Sequence, residues 1–217
     1  MKAFLIIFSC CLAGYLIFFG FISAPTPMAT VWKLPLKTVD RQDWSTVRLE
    51  PDAHFKSLRA PFGPIKLHYH TGIDLQNGSV IEPGEPVYAI AAGKVIAIED
   101  PLPQRKIVIE HVLPDENRIW SVYYHIIDEQ VQVGDRVDTE TIIARIMNAS
   151  ELDTYGWEYN HVHLEIMKKL SPPVSEYYER KTFTCYSAAE VDAYFYDAEV
   201  WLKNHFEKSN FVRSKTN

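Results

Sequence analysis

Six consecutive residues late in the chain, His161-Val162-His163-Leu164-Glu165-Ile166, alternate without a break between polar and apolar side chains. Successive side chains of a β-strand point to opposite faces. The stretch therefore predicts a strand with Val162, Leu164 and Ile166 on one face and His161, His163 and Glu165 on the other. The first face belongs against a hydrophobic core. The second presents two imidazoles about 7 Å apart, at two residues of strand rise. Such a strand fits only where one side meets an apolar layer and the other a polar site.

The flanking sequence supports a β fold. From Pro61 to Leu170, short β-branched runs alternate with turn residues: Val87–Glu99, Lys106–Val112, Ile119–His125, Ile142–Ile146 and His161–Met167. Gly84, Gly93 and Gly134 stand where turns or close approaches are expected. Short strands at near-regular spacing predict a mainly β architecture, a small antiparallel β-sandwich or barrel-like domain.

The two ends differ from this middle. Ala3 to Ser23 is a run of 21 residues without a charge, closed by Pro25 and Pro27. About 20 apolar residues suffice to cross a bilayer as a helix. The run is read as an N-terminal membrane helix or, if cleaved, a signal segment, and either puts the body outside the cytoplasm. At the other end Ser171-Pro172-Pro173 breaks the last strand. Ser187-Ala188-Ala189-Glu190 forms a capping box, and Val191, Tyr194, Phe195, Ala198 and Leu202 follow at helical spacing, with a break expected near Asp197. The expected divisions are 1–24, membrane segment; 25–60, linker and wrapping segment; 61–170, the β domain; and 171–217, a C-terminal helical extension.

Composition excludes other classes. The net charge is −6 and no basic stripe is present, so no nucleic-acid partner is expected. Of three cysteines, Cys10 and Cys11 lie in the apolar run, which leaves Cys185 alone in the body. Neither a disulfide framework nor a thiolate metal cluster can form there.

Histidines carry the chemistry. Among the eight in the chain, His70-Thr71-Gly72-Ile73-Asp74 sets an imidazole and a carboxylate four residues apart, and a bend at Gly72 brings them closer. Zinc takes imidazole nitrogen and carboxylate oxygen, and catalytic sites use three protein ligands with a fourth position for water. Two ligands from one of these segments and one from the other meet that count. His125 closes a third β-prone run, Tyr123-Tyr124-His125. Glu165 admits two readings, support for a ligand from behind or stabilisation of the sheet. His68 is placed at the periphery.

In this order and context the motifs resemble the lysostaphin-type (LytM-like) zinc metallopeptidases, a peptidoglycan-hydrolase family. The similarity runs from about Ala60 to Lys168. It includes Pro61-Phe62-Gly63, the His70–Asp74 motif, Gly84-Glu85-Pro86, Gly93-Lys94-Val95, Tyr124-His125, Val133-Gly134-Asp135 and the strand from His161 to Ile166. The resemblance implies a zinc metalloendopeptidase with one Zn2+ per chain held by His70, Asp74 and His163. His125 and His161 would be the catalytic histidines beside the metal-bound water. It implies a hydrolase of peptide bonds in cell-wall peptidoglycan, in cross-links or stem peptides. The expected location is the cell envelope, anchored to the inner membrane facing the periplasm or released into it. Expected partners are peptidoglycan peptides, the membrane through the N-terminal segment, and cell-wall regulatory proteins. The alternative within the family is a non-catalytic LytM-like regulator that activates a cell-wall amidase. Such members typically lack metal ligands, whereas all five positions are filled here. A third reading is the same chemistry on a protein substrate. The segment Asn148–Asn160, with Tyr155, Trp157 and Tyr159, is longer than its family counterpart and is expected to border the groove as a loop.

Overall fold

The structure, a computed structural model, describes residues 25–61, 65–78, 84–99, 102–156, 160–170 and 184–215, with side chains through 206. The membrane segment 1–24, Phe62 and Gly63, Trp157 and Tyr159, and the Ser171-Pro172-Pro173 break lie outside the described residues. No helix among the described residues is long and apolar enough to cross a membrane.

The strands are β1 (Val47–Arg48), β2 (Leu58–Arg59), β3 (His68–Tyr69), β4 (Ile73–Asn77), β5 (Pro86–Tyr88), β6 (Gly93–Glu99) and β7 (Lys106–Val112). They continue as β8 (Arg118–Tyr124), β9 (Ile126–Ile127), β10 (Arg136–Val137), β11 (Ile142–Ile146), β12 (Val162–Met167) and β13 (Phe195–Tyr196). Three helices accompany them: α1 (Ala149–Asp153), α2 (Ala188–Tyr194) and α3 (Ala198–Lys215). The main sheet has eight strands in the order β1-β4-β12-β8-β7-β6-β10, with β13 also paired to β12. A three-stranded sheet, β5-β11-β9, and the β2-β3 pair complete the set. The fold is mainly β and antiparallel, as expected. The sheets are open, and no closed barrel forms among the described residues.

Strand β12 is central. It pairs with β4 on one side, His163 opposite Asp74, and with β8 on the other, His163 opposite Tyr124. The register sorts side chains between two faces. On one, Leu164 meets Ile73 and Tyr123, and Val162 meets Leu75. These side chains join the main core with Ile107, Ile109 and Ile143. On the other, the row from Asp74 through His163 to Tyr124 continues to Glu165 and Val122. Beyond them a second apolar cluster forms from Val108, Val122, Met167, Cys185, Val191 and Phe195. The alternation of β12 thus survives in space, yet both faces are buried because chain packs on each side.

Residues before β1 take part in the core. Trp32, Leu34 and Leu36 are buried, and bridges join Met28 to Val112, Trp32 to Ala91 and Leu36 to Val87. At the other end the Ser187–Glu190 capping box forms. The helical run breaks next to Asp197, as expected, and the break is formed by Phe195-Tyr196, which turn extended to pair with Met167 and Ile166. Asp197 then starts α3, its Oδ1 accepting from the amides of Glu199 and Val200. Val191 and Phe195 therefore join the second apolar cluster, while Ala198 and Leu202 join the main core.

Candidate metal centre

His70 lies in the turn between β3 and β4, Asp74 in β4 and His163 in β12. Gly72 allows the turn to lie flat on β12. A Cβ at this position would stand 2.3 Å from the Leu164 carbonyl oxygen and 2.9 Å from His163 Nε2. No side chain fits there, which accounts for the glycine between the two polar residues.

Three ligand atoms converge. His70 Nε2 is 3.1 Å from Asp74 Oδ1 and 2.9 Å from His163 Nδ1, and His163 Nδ1 is 2.9 Å from Asp74 Oδ1. Tetrahedral zinc with bonds near 2.0–2.1 Å has ligand–ligand edges of roughly 3.3 Å, so the triangle is close to the size zinc needs. Hydrogen bonds on the outward sides fix the orientation of both rings. His70 Nδ1–H donates to the His54 carbonyl at 3.0 Å, and His163 Nε2–H donates to Glu165 Oε1 at 3.2 Å. Each ring thereby aims its inner nitrogen at the shared space, where a metal would bind it. Asp74 Oδ2 is held by Arg59 Nη2, which also lies 3.1–3.2 Å from both nitrogens of His70. The set of two nitrogens and one carboxylate oxygen fits zinc.

Two further imidazoles flank this triangle. His161 Nε2 is 3.4 Å from Asp74 Oδ1, and the His125 ring stands 5.0 Å from that of His161 and 6.1 Å from that of His163. His125 Nδ1–H donates to the Pro103 carbonyl at 2.9 Å, which leaves Nε2 as the basic nitrogen. Its backbone φ is +62°, in the left-handed region that few non-glycine residues adopt. This conformation ends β8 and turns the imidazole beside the ligands.

Burial and mutual contact set the charges. Burial pushes His70 down despite the pull of Asp74. Burial also lowers His161 to about 4 and His125 to about 3, with His161 and His163 adding to the effect on His125. Both are neutral near pH 7. Burial alone would raise the Asp74 carboxyl, but the imidazoles of His161, His70 and His163 outweigh it and hold it well below the usual carboxylate range. For His163, burial is overcome by hydrogen bonds to Asp74 and Glu165, which raise the ring to about 9. In the metal-free protein the cluster thus carries one imidazolium against Asp74, and a metal at Nδ1 would displace that proton.

The site opens into a groove of about 620 Å³ whose walls include Arg59, Tyr69, Gln76, Gln104, Tyr124 and Gly156. All five histidine and aspartate residues singled out from sequence therefore meet in one place, and His70, Asp74 and His163 alone form a metal-sized group among the described residues. His68 lines the groove outside the ligand group, its Nδ1–H donating to the Lys66 carbonyl. The segment Asn148–Asn160 is not all loop, since Asn148 and Glu151 form a capping box on the short helix α1. Sequence reasoning missed Arg59 and the carbonyls of His54 and Pro103. Nothing local marks a backbone carbonyl as a partner, and Arg59 reaches the site only through the β2-β3 pairing.

An open antiparallel sheet thus gathers two imidazoles and a carboxylate around a metal-sized space, with two neutral imidazoles alongside, the donor set of a metal-binding β domain. Residues 68–174 match peptidase family M23, and through this stretch the chain belongs to that family. The resemblance drawn from the motifs is thereby borne out. Similar solved structures include a zinc-containing peptidase from Vibrio cholerae, at 22% identity and a TM-score of 0.44 over 64% of this chain and 37% of that one. Another is the antimicrobial peptidase lysostaphin from Staphylococcus simulans, at 17% identity and 0.49 over 82% and 56%. A third is the SpoIIQ–SpoIIIAH pore-forming complex, at 23% identity and 0.45 over 64% and 84%. The chain spans 37% and 56% of the first two proteins. No curated protein gives a significant match.

Proposed function

We propose that this chain is a zinc-dependent endopeptidase that hydrolyses peptide bonds of peptidoglycan in the cell envelope, tethered or delivered there by residues 1–24. The observation that carries the reading is the convergence of His70 Nε2, Asp74 Oδ1 and His163 Nδ1 within 2.9–3.1 Å, beside His125 and His161. Zinc held by those three atoms supplies a Lewis acid that polarises a peptide carbonyl and lowers the pKa of water to about 7. The remaining work belongs to the chain. His161 and His125, neutral because buried, accept a proton at a ring nitrogen and return it to the leaving amine. The groove orients an extended peptide past them.

Incubating the zinc-loaded protein with purified sacculi tests the reading. Soluble peptide-bearing fragments are expected, with new amino termini in defined muropeptides. Untouched sacculi together with stimulation of a purified cell-wall amidase would favour the regulator instead. Zinc-dependent cleavage of a protein alone would favour a protein substrate.

A further inference from the structure

Glu165 is 2% exposed and lies on the polar face of β12, two residues beyond His163. Its Oε1 accepts from His163 Nε2–H at 3.2 Å and from Thr71 Oγ1–H at 2.5 Å. Thr71 is the residue after His70 and three before Asp74, so it belongs to the turn that carries the other two ligands. The two ligand-bearing segments are therefore joined twice. One junction is the ligand triangle itself. The other lies behind it, through Thr71, Glu165 and the far side of the His163 ring.

We infer that Thr71 and Glu165 form a positioning clasp that sets the His163 ring in the ligand triangle before metal arrives and keeps the proton on Nε2 when metal takes Nδ1. The inference rests on the peptidase reading only for its use of zinc. An imidazole can bind metal through either nitrogen, and the hydrogen bond at the other nitrogen decides which. Here Glu165 holds a proton on Nε2 and aims Nδ1 at His70 and Asp74. A carboxylate in this place also makes the imidazole a better donor. Thr71 keeps Glu165 from turning away, and its hydroxyl proton leaves the carboxylate oxygen no other orientation toward both donors. Sheet stabilisation alone would not require Oε1 to be shared between the two ligand segments. Glu165 Oε2 has no partner among the described residues, so the side chain is held by Oε1 alone.

The test uses the full-length protein and two readouts that do not depend on turnover. The first is the zinc dissociation constant, by chelator competition. The second is the His163 tautomer, by 15N–1H correlation in the zinc form. Glu165→Gln is expected to weaken zinc about 10–100-fold. Thr71→Val is expected to weaken it several-fold, with Thr71→Ser restoring it to within about twofold. In the wild type Nε2 should carry the proton and Nδ1 the metal. Two outcomes overturn the inference: zinc affinity unchanged in both Glu165→Gln and Thr71→Val, or a wild-type His163 bound through Nε2. If the variants lose affinity as expected while the wild-type protein cleaves no sacculi, the clasp stands and the peptidoglycan reading falls. Circular dichroism identifies a variant that has not folded. In that event Thr71→Val against Thr71→Ser, which differ in the hydroxyl that reaches Glu165, decides alone.

Discussion

Asp74 and His163 are direct cross-strand partners, eighty-nine positions apart in the chain, and their side chains meet at 2.9 Å between Oδ1 and Nδ1. Antiparallel pairing of β4 with β12 creates this contact before any metal is considered. Cross-strand neighbours have Cβ atoms about 4.5–5.5 Å apart, which suits two short side chains sharing one ion.

Removing either partner should abolish metal binding. His163→Ala and Asp74→Asn are each expected to reduce bound zinc from about one per chain to a background level, since three protein ligands are the minimum of a catalytic site. Elemental analysis after dialysis reads this directly, and sacculus digestion should vanish with the metal.

His125 and His161 predict a different pattern. Substitution of either by Ala should leave zinc stoichiometry near the wild-type value while lowering kcat by about 10²–10⁴-fold, the usual range for general acid–base groups. Parallel metal analysis and steady-state kinetics on a muropeptide separate these two classes of histidine. Loss of zinc in both variants would count against the division.

Arg59 should stabilise the metal-free protein and oppose the metal. Its guanidinium neutralises Asp74 Oδ2 and rests against His70. Like charges a few ångströms apart cost several kcal/mol even at an effective dielectric near 20. Arg59→Gln is therefore expected to lower the Tm of the metal-free form and to tighten zinc by about tenfold. Calorimetry with and without chelator measures both effects.

Acid should weaken the fold through a histidine far from the ligands. His111 is fully buried, donates from Nδ1 to the Ala92 carbonyl at 2.8 Å and accepts at Nε2 from Ser121 Oγ at 2.7 Å. Burial lowers its pKa to about 4. The unfolded chain, with a value near 6.5, takes up the proton first. Stability from this group is thus full above pH 6.5 and falls as pH drops toward 4, by about 3 kcal/mol in all. Urea unfolding across that interval should show the loss, and His111→Gln should flatten it.

Gly72→Ala should damage fold and site together. The added methyl meets backbone of β12 at 2.3 Å, an overpacking expected to cost about 1–3 kcal/mol. A lower urea midpoint and weaker zinc in the same variant would register the displacement of the turn from the strand.

Much of this architecture could be read from local pattern. The run Ile142–Ile146 became β11 with the same limits, and the alternation from His161 to Ile166 became β12. Such runs carry their own periodicity. The burial of both faces of β12 could not be read, because it depends on α2 and Cys185 arriving from the far end of the chain. The break near Asp197 was legible, but the short strand that forms it was not, for a similar reason. Phe195 favours helix by its spacing, yet β12 beyond its pairing with β4 leaves Ile166 and Met167 open to Tyr196 and Phe195. In the site, the histidines and Asp74 stood out because they sit at short, fixed spacings beside β-prone runs. Arg59 and Thr71 act through contacts between distant segments, and no short motif marks them.

Strand β12 carries aliphatic groups on one side and site groups on the other, with β4 and β8 gripping both of its edges. Sliding it by one residue would drive Val162 and Leu164 into the groove and bury imidazoles in oil. Which atoms greet the ion is therefore decided by greasy neighbours that never touch it. Trimming Leu164 or Ile73 should loosen the grip on zinc from a distance, so this protein's tolerance to change is set as much by its apolar interior as by its histidines.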